Sequence, residues 1–455
     1  MSSSHPQLEK NEAPRESIEA MTGKVIQPVL RPGFPYWWLA GFGTALLLLF
    51  VFNVAIAVLF YYGVGIWGIK VPTAWGFAIV NFVWWIGIGH AGTFISAVLL
   101  LVHQQWRTSI NRFTEAMTLF AVACAGMFPI LHLGRPWLFY WLIPYPNSLD
   151  LWPQFRSPLL WDVFAVTTYL LVSLMFWYLG LIPDLAALRD RAPHRWQQIV
   201  FGVMALGWRG CIRHWARYEK LYLLLAGIAT ALVVSVHSIV SLDFAVSIVP
   251  GWHSSIFPPY FVAGAIFSGF AMVVTLLVPL RRLYHYEEFF TLDHFDKMGK
   301  IMLVTGLIVG HGYMMETFTS FYSGDIFEMA MMKKRLWGEF APLYWTIITC
   351  NVIVPQALWS VCVRRNLLLL WLVAIVINIG MWLERYVIVT SSLEKDYLPS
   401  AWRTYAGTFW DWATLIGSFG LFLSLLFLFI RLLPAISMHE LAEQAHEETK
   451  HGGTS

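Results

Sequence analysis

The sequence predicts an all-α integral membrane protein with about ten transmembrane helices, on three observations. Hydrophobic residues make up 58% of the chain and charged residues only 13%, about half the charged share of ordinary soluble domains. Apolar runs long enough to cover about 30 Å of hydrocarbon, at roughly 1.5 Å per helical residue, recur throughout. Between them lie short polar stretches with proline, glycine and most of the basic residues, the punctuation expected between helices.

In chain order, residues 1–37 form a polar arm with proline and mixed charge, and the first apolar run is of full span length rather than signal-peptide length. Spans are expected near 38–62, 76–102, 114–134, 159–183, 218–247, 257–280, 298–320, 338–362, 366–391 and 409–433. Pro144, Pro146, Pro153 and Pro158 break the connection into the fourth span. Residues 434–455 read as a tail, a short amphipathic helix passing into disorder. Lys and Arg number 19 on one side of the alternating topology and 8 on the other; the richer side is expected to be cytoplasmic, with both termini on it. Trp37, Trp38, Trp75, Trp141, Trp152, Trp402, Trp410 and Trp412 crowd the span ends, as interfacial anchors do.

Several functions are disfavoured. A net charge of +3, with the basic residues dispersed over loops, gives no nucleic-acid footprint. The four cysteines form no C-x-x-C or C-x-x-C-H pattern, so no iron–sulfur cluster, zinc ribbon or c-type haem is expected in this chain, and no metal site.

The informative residues are the titratable ones at membrane depth, which usually face a bundle interior or a cavity. His132 ends the third span, and Asp162 begins the fourth, both near the outer face. Asp243, Glu316 and the Glu384-Arg385 pair fall in outer halves; His90, His237 and His311 lie nearer the middle. No Asp or Glu falls clearly in an inner half. His132 and Asp162, at the outer ends of consecutive antiparallel spans, are expected to be neighbours. A histidine beside a partly buried carboxylate can accept the hydroxyl protons of a quinol; the bland alternative is an interfacial pair that holds a loop. Arg135 either neutralises Asp162, orients a quinone oxygen or snorkels to headgroups. His90, within Gly87-Ile88-Gly89-His90-Ala91-Gly92, reads first as a packing residue at a close helix crossing. Its 13-residue separation from His103 resembles haem-ligand spacing, but no other span carries a matching pair. His237 and Ser241 share a helix face, and Asp243 points elsewhere. Glu384-Arg385 reads as an ion pair, and Met329, Met331 and Met332 as packing against a partner.

Three stretches carry a resemblance: Asn81 to Thr93, Phe128 to Trp137, and Ser247 to His253 running into Phe257-Pro258-Pro259-Tyr260-Phe261. They closely resemble the NrfD/PsrC family of membrane quinone-reactive subunits, nearest to the core membrane subunits of bacterial alternative complex III. The resemblance implies two four-helix bundles, about 76–247 and 257–391, with two flanking helices in a domain spanning 38–433. It implies a quinol site in the first bundle at His132 and Asp162, with Arg135 and His90 nearby, and a proton path falling on His237, Asp243, His311, Glu316 and Glu384. Menaquinol is the implied substrate. The implied partners are a periplasmic iron–sulfur subunit, multihaem and monohaem cytochrome c subunits and a second NrfD-like membrane subunit, in a bacterial inner membrane. Clusters and haems would then sit in those partners only. On this reading quinol protons leave outward, and the lack of inner-half acids argues against a pump. The alternatives are the membrane subunit of a polysulfide-reductase-like molybdoenzyme, a secondary transporter using the intramembrane acids, and a purely structural anchor.

Overall fold

A computed structural model describes residues 19–143 and 157–441. Pro144, Pro146, Trp152 and Pro153, the arm before residue 19 and the tail beyond 441 lie outside the described residues. Among those described there is no strand, and ten helices are long and apolar enough to cross a membrane. These are α1 (Tyr36–Tyr62), α2 (Phe77–Leu101), α3 (Asn111–His132), α4 (Pro158–Arg191), α5 (Ile212–Ala245), α6 (Phe257–Leu283), α7 (Leu292–Tyr322), α8 (Ala341–Trp359), α9 (Leu367–Glu394) and α10 (Phe409–Leu432). Helix is the only way a single segment can satisfy its own backbone in hydrocarbon.

The helix starts follow local chemistry. Asn366 caps α9 by accepting the amides of Leu368 and Leu369 at 3.1 Å. Thr408 and Asp411 bond reciprocally at the start of α10, the Thr408 amide reaching the Asp411 carboxylate at 2.8 Å. Pro129 sits inside α3. It removes one ladder bond and crowds the carbonyl four residues back, which bends a helix.

Helices α2 to α5 pack on one another, α6 packs on α7 and α9, α8 packs on α7 and α9, and α1 lies against α10. Helix α6 joins the groups through α2, α5 and α9. The centre is α2: every residue from Phe77 to Thr93 is buried. Gly92 makes this possible, because a Cβ there would lie 2.0 Å from the Thr114 carbonyl and 2.2 Å from the Thr118 hydroxyl. Small residues let two backbones approach where water offers no driving force between helices. Helix α1 is the opposite case, turning Leu39, Leu47 and Phe50 outward.

Alternation puts the ends 36, 101, 111, 191, 212, 283, 292, 359, 367 and 432 together; contacts such as Lys24–Glu288 at 2.8 Å and Asn111–Glu440 at 2.9 Å join this charge-rich end. Three expectations change here. Residues 19–30 of the arm are helical, and Val25 and Ile26 are buried. The start of the tail folds inward, burying Ile436, Met438 and Glu440. At the other end the 321–337 connection contains a helix, Ile326–Trp337, capped by Asp325. Its Met331 and Met332 are buried within this chain, so packing against a partner does not explain them; Met329 is half-buried.

Candidate functional site

Helices α2, α3, α4 and α5 enclose a 390 Å³ cavity toward the end opposite the charge-rich one, within the roughly 300–1,000 Å³ of small-molecule sites. Its wall is apolar, with Ile79, Phe82, Val122, Pro129 and Leu170 among the lining residues, apart from Thr167, Asp162 and Asp243. Gly126 contributes open space: a Cβ there would meet nothing within 4 Å. The lining residues that reach the surface, Phe139, Ile143 and Leu159, are apolar.

Neither carboxylate oxygen of Asp162 has a hydrogen-bond partner, nor does Oδ1 of Asp243, although both residues are buried. The two carboxylates are electrostatic neighbours. Buried polar groups are normally satisfied, and leaving one bare costs about 1–3 kcal/mol. An unsatisfied pair facing an apolar cavity is therefore the chemical signature of a ligand site.

Here the structure corrects the expected couple. His132 is half-buried at the end of α3, two residues past the cavity-lining Ile130, and its Nδ1 has no partner, but it does not line the cavity. The charged neighbour of Asp162 is Asp243, not His132. Arg135 is exposed, and no described carboxylate lies within salt-bridge distance of it. The signal that could have found Asp243 was its mismatch with the His237–Ser241 face.

His90 is wholly buried and donates from Nδ1 to the Ile86 carbonyl at 2.7 Å. Its Nε2 is then a bare acceptor without a partner. Its ring lies 4.8 Å from that of His237, whose two nitrogens are also unpartnered, and 5.2 Å from that of Tyr169. Tyr169 donates to the Gly89 carbonyl at 3.0 Å, as Thr118 does at 2.6 Å. His103 is exposed and lies beyond the end of α2, so it shares no helix with His90.

This polar column continues toward the charge-rich end. Arg112, fully buried, bonds Glu115 at 3.0 Å, the Gly180 carbonyl at 2.7 Å and Asp184 at 3.5 Å. Glu440 pairs with Arg107 at 3.4 Å and accepts from Asn111. The expectation that no acid lies deep at this end fails, because Arg107, Arg112 and Glu115 are buried rather than in a solvated loop. Tertiary burial is invisible where charges cluster at a predicted span boundary.

The second group of helices treats its acids differently. Glu316 pairs with Arg335 at 2.8 Å, and Arg335 is also held by Ser391 and Ser392. Glu384 bonds Arg385 and Tyr313, with Asn351 donating to Tyr313 at 2.8 Å. These buried charges are compensated, which is structural chemistry. His311 is exposed on the outward face of α7 beside Ile308 and Met314, apart from both clusters. Among the described residues no three His, Cys, Asp or Glu side chains group as metal ligands.

A model of the polysulphide reductase NrfD family matches residues 68–394, from just before α2 to the end of α9. The chain belongs to the NrfD family. This family member is also similar to a protein of Halobacterium salinarum described as a "Putative dimethyl sulfoxide reductase membrane subunit", at 27% identity over 237 residues, covering 49% of this chain and 50% of that relative. The matched stretch thus spans about half the length of the curated relative. The family match encloses every residue of the Asp162–Asp243 cavity and the His90–His237 pair, and leaves α1 and α10 outside.

Proposed function

We propose that this chain is the quinol-oxidising membrane subunit of a respiratory quinol:electron-acceptor oxidoreductase, with menaquinol bound in the Asp162–Asp243 cavity. One observation carries the reading: two buried carboxylates with unsatisfied oxygens in an otherwise apolar cavity whose surface residues are themselves apolar. A lipid-borne ligand with two hydroxyl groups meets both features. Oxidation of a quinol breaks two O–H bonds and releases two protons and two electrons as the quinone forms. An ionised Asp162 accepts the first proton at its carboxylate, as a positioned general base, and Asp243 relays or takes the second. His132 is a candidate for later transfer toward the surface. The electrons pass to an iron–sulfur cluster in a partner subunit at that end of the fold.

Asp162→Asn in the assembled complex tests this. Quinol oxidation is expected to be lost while the complex still assembles and the cavity keeps its volume. Turnover within twofold of wild type would remove Asp162 from the chemistry.

Two finer readings differ in the electron acceptor. The motif resemblance supports alternative complex III, with cytochrome c partners and a second NrfD-like subunit. The similarity to a dimethyl sulfoxide reductase subunit supports a molybdenum-containing partner instead. Purification in mild detergent followed by haem and molybdenum assays separates them: haem without molybdenum favours the first, molybdenum without haem the second. The basic excess places the charge-rich end in the cytoplasm of a bacterial inner membrane on this proposal.

The column from Glu115 through Tyr169 to His90 and His237 favours one addition, proton movement between the charge-rich end and the cavity. The sequence-based argument against a pump rested on a lack of acids there, and Glu115 and Asp184 remove that ground. A ratio above one proton per electron, beyond the two scalar quinol protons, in reconstituted vesicles is the expected result; strictly scalar release excludes it.

A further inference from the structure

A second cavity, of 360 Å³, opens at the charge-rich end of the fold, remote in sequence and function from the Asp162 site. Its wall includes Lys24 and Arg31 of the N-terminal arm, Trp37 at the start of α1, Tyr284 and Tyr286 beyond α6, and Arg431 at the end of α10. No Asp or Glu among the described residues lines it. Lys24 is paired with Glu288 at 2.8 Å, so the surplus charge is that of the two arginines. Arg431 donates to the carbonyls of Pro28, Arg31 and Gly33, which pins the arm but leaves the charge uncompensated. Arg31 is exposed, and its guanidinium is close enough to Arg431 for the two to repel. Two neighbouring guanidiniums without a carboxylate form a site that an oxyanion completes, since each can fork two donors onto phosphate oxygens.

The surroundings identify the kind of anion. Trp37 meets Tyr284 edge-on at 5.1 Å, and Tyr284 stacks on Tyr286 at 5.4 Å, the aromatic furniture of headgroup depth. From the same corner α1 runs across the fold with Leu39, Leu46, Leu47 and Phe50 turned outward and exposed. A molecule with a phosphate head and hydrocarbon tails fits the basic cavity and the apolar face together. We propose that this cavity binds the phosphodiester headgroup of an anionic phospholipid, fastening the arm to α1, α6 and α10 from the membrane side.

The full chain, or the complex that contains it, would be purified in mild detergent and exposed to phosphatidylglycerol, phosphatidylcholine or inorganic phosphate. Retained lipid is read by native mass spectrometry and the thermal transition by tryptophan fluorescence. Phosphatidylglycerol is expected to be retained over phosphatidylcholine. Arg31→Gln should lower that retention about fivefold, the effect of one basic residue at an anionic surface. Arg213→Gln, which removes an exposed arginine outside the cavity at the same end, should leave it unchanged. Equal retention of the two lipids, or undiminished retention by Arg31→Gln, overturns the proposal. Inorganic phosphate that raises the thermal transition as much as the lipid would assign the cavity to a free anion and overturn it as well.

Discussion

Asp162 of α4 and Asp243 of α5 turn their carboxylates into one apolar cavity, whereas Glu316 and Glu384 each give theirs to a guanidinium. The four acids look alike in sequence, and only their partners separate chemistry from architecture. Asp243→Asn should therefore reduce quinol oxidation by at least ~100-fold, the usual contribution of a positioned acid or base, with helix content by circular dichroism unchanged. Glu316→Gln should instead lower the melting temperature by stranding Arg335, and leave the affinity for a quinone-site inhibitor intact. Inverted results for the two variants would reverse the assignment.

Gly126 offers a way to close the cavity without touching a charge. A side chain there enters open space, and replacing glycine within a helix relieves up to about 1 kcal/mol of intrinsic cost. Gly126→Phe should fold at least as well as wild type and yet fail to bind a quinone analogue, measured by equilibrium binding to the detergent-purified protein. Unimpaired binding would place the ligand elsewhere.

Gly92 predicts the contrary behaviour. Its Cβ would collide with the Thr114 carbonyl, which is backbone and cannot swing aside. Overpacking of this kind costs typically about 1–3 kcal/mol and more where the backbone is rigid. Gly92→Val should reduce the yield of folded protein and lower its melting temperature in detergent, while Gly126→Ala should not. A Gly92→Val protein as stable as wild type would mean that α2 and α3 are not so closely packed.

The cluster at the charge-rich end makes a quantitative case. Removing one side of a buried ion network costs about 3–5 kcal/mol because its partners remain buried and unpaired. Arg112→Ala should lose stability on that order in chemical denaturation, stranding Glu115 and Asp184. Adding Asp184→Asn should restore part of it, with a coupling that a surface pair would not show. Purely additive losses would argue that the side chains do not interact.

The topology was legible because span length is a local property. Any run that covers the hydrocarbon shows itself without knowledge of its neighbours, and all ten helices fall on the expected runs. Their ends were less legible. Helix α4 continues to Arg191 and α5 starts at Ile212, because helical turns beyond the hydrocarbon need no hydropathy. The Ile326–Trp337 helix was missed for the same reason, being short and amphipathic.

The sequence by itself determined that this chain is a ten-helix membrane protein, which end is rich in positive charge, and that Asp162 and Asp243 are intramembrane acids. Hydrophobic length and charge asymmetry do not depend on tertiary contacts. What only the tertiary structure decided is which acids are left bare. Asp162 meets Asp243 rather than His132, Glu316 finds Arg335 from a helix the hydropathy hid, and Glu440 returns from the tail to Asn111 and Arg107. Those pairings depend on how helices are rotated about their axes and how close they approach, as at Gly92. No residue carries that information alone, and it separates a compensated charge from a reactive one.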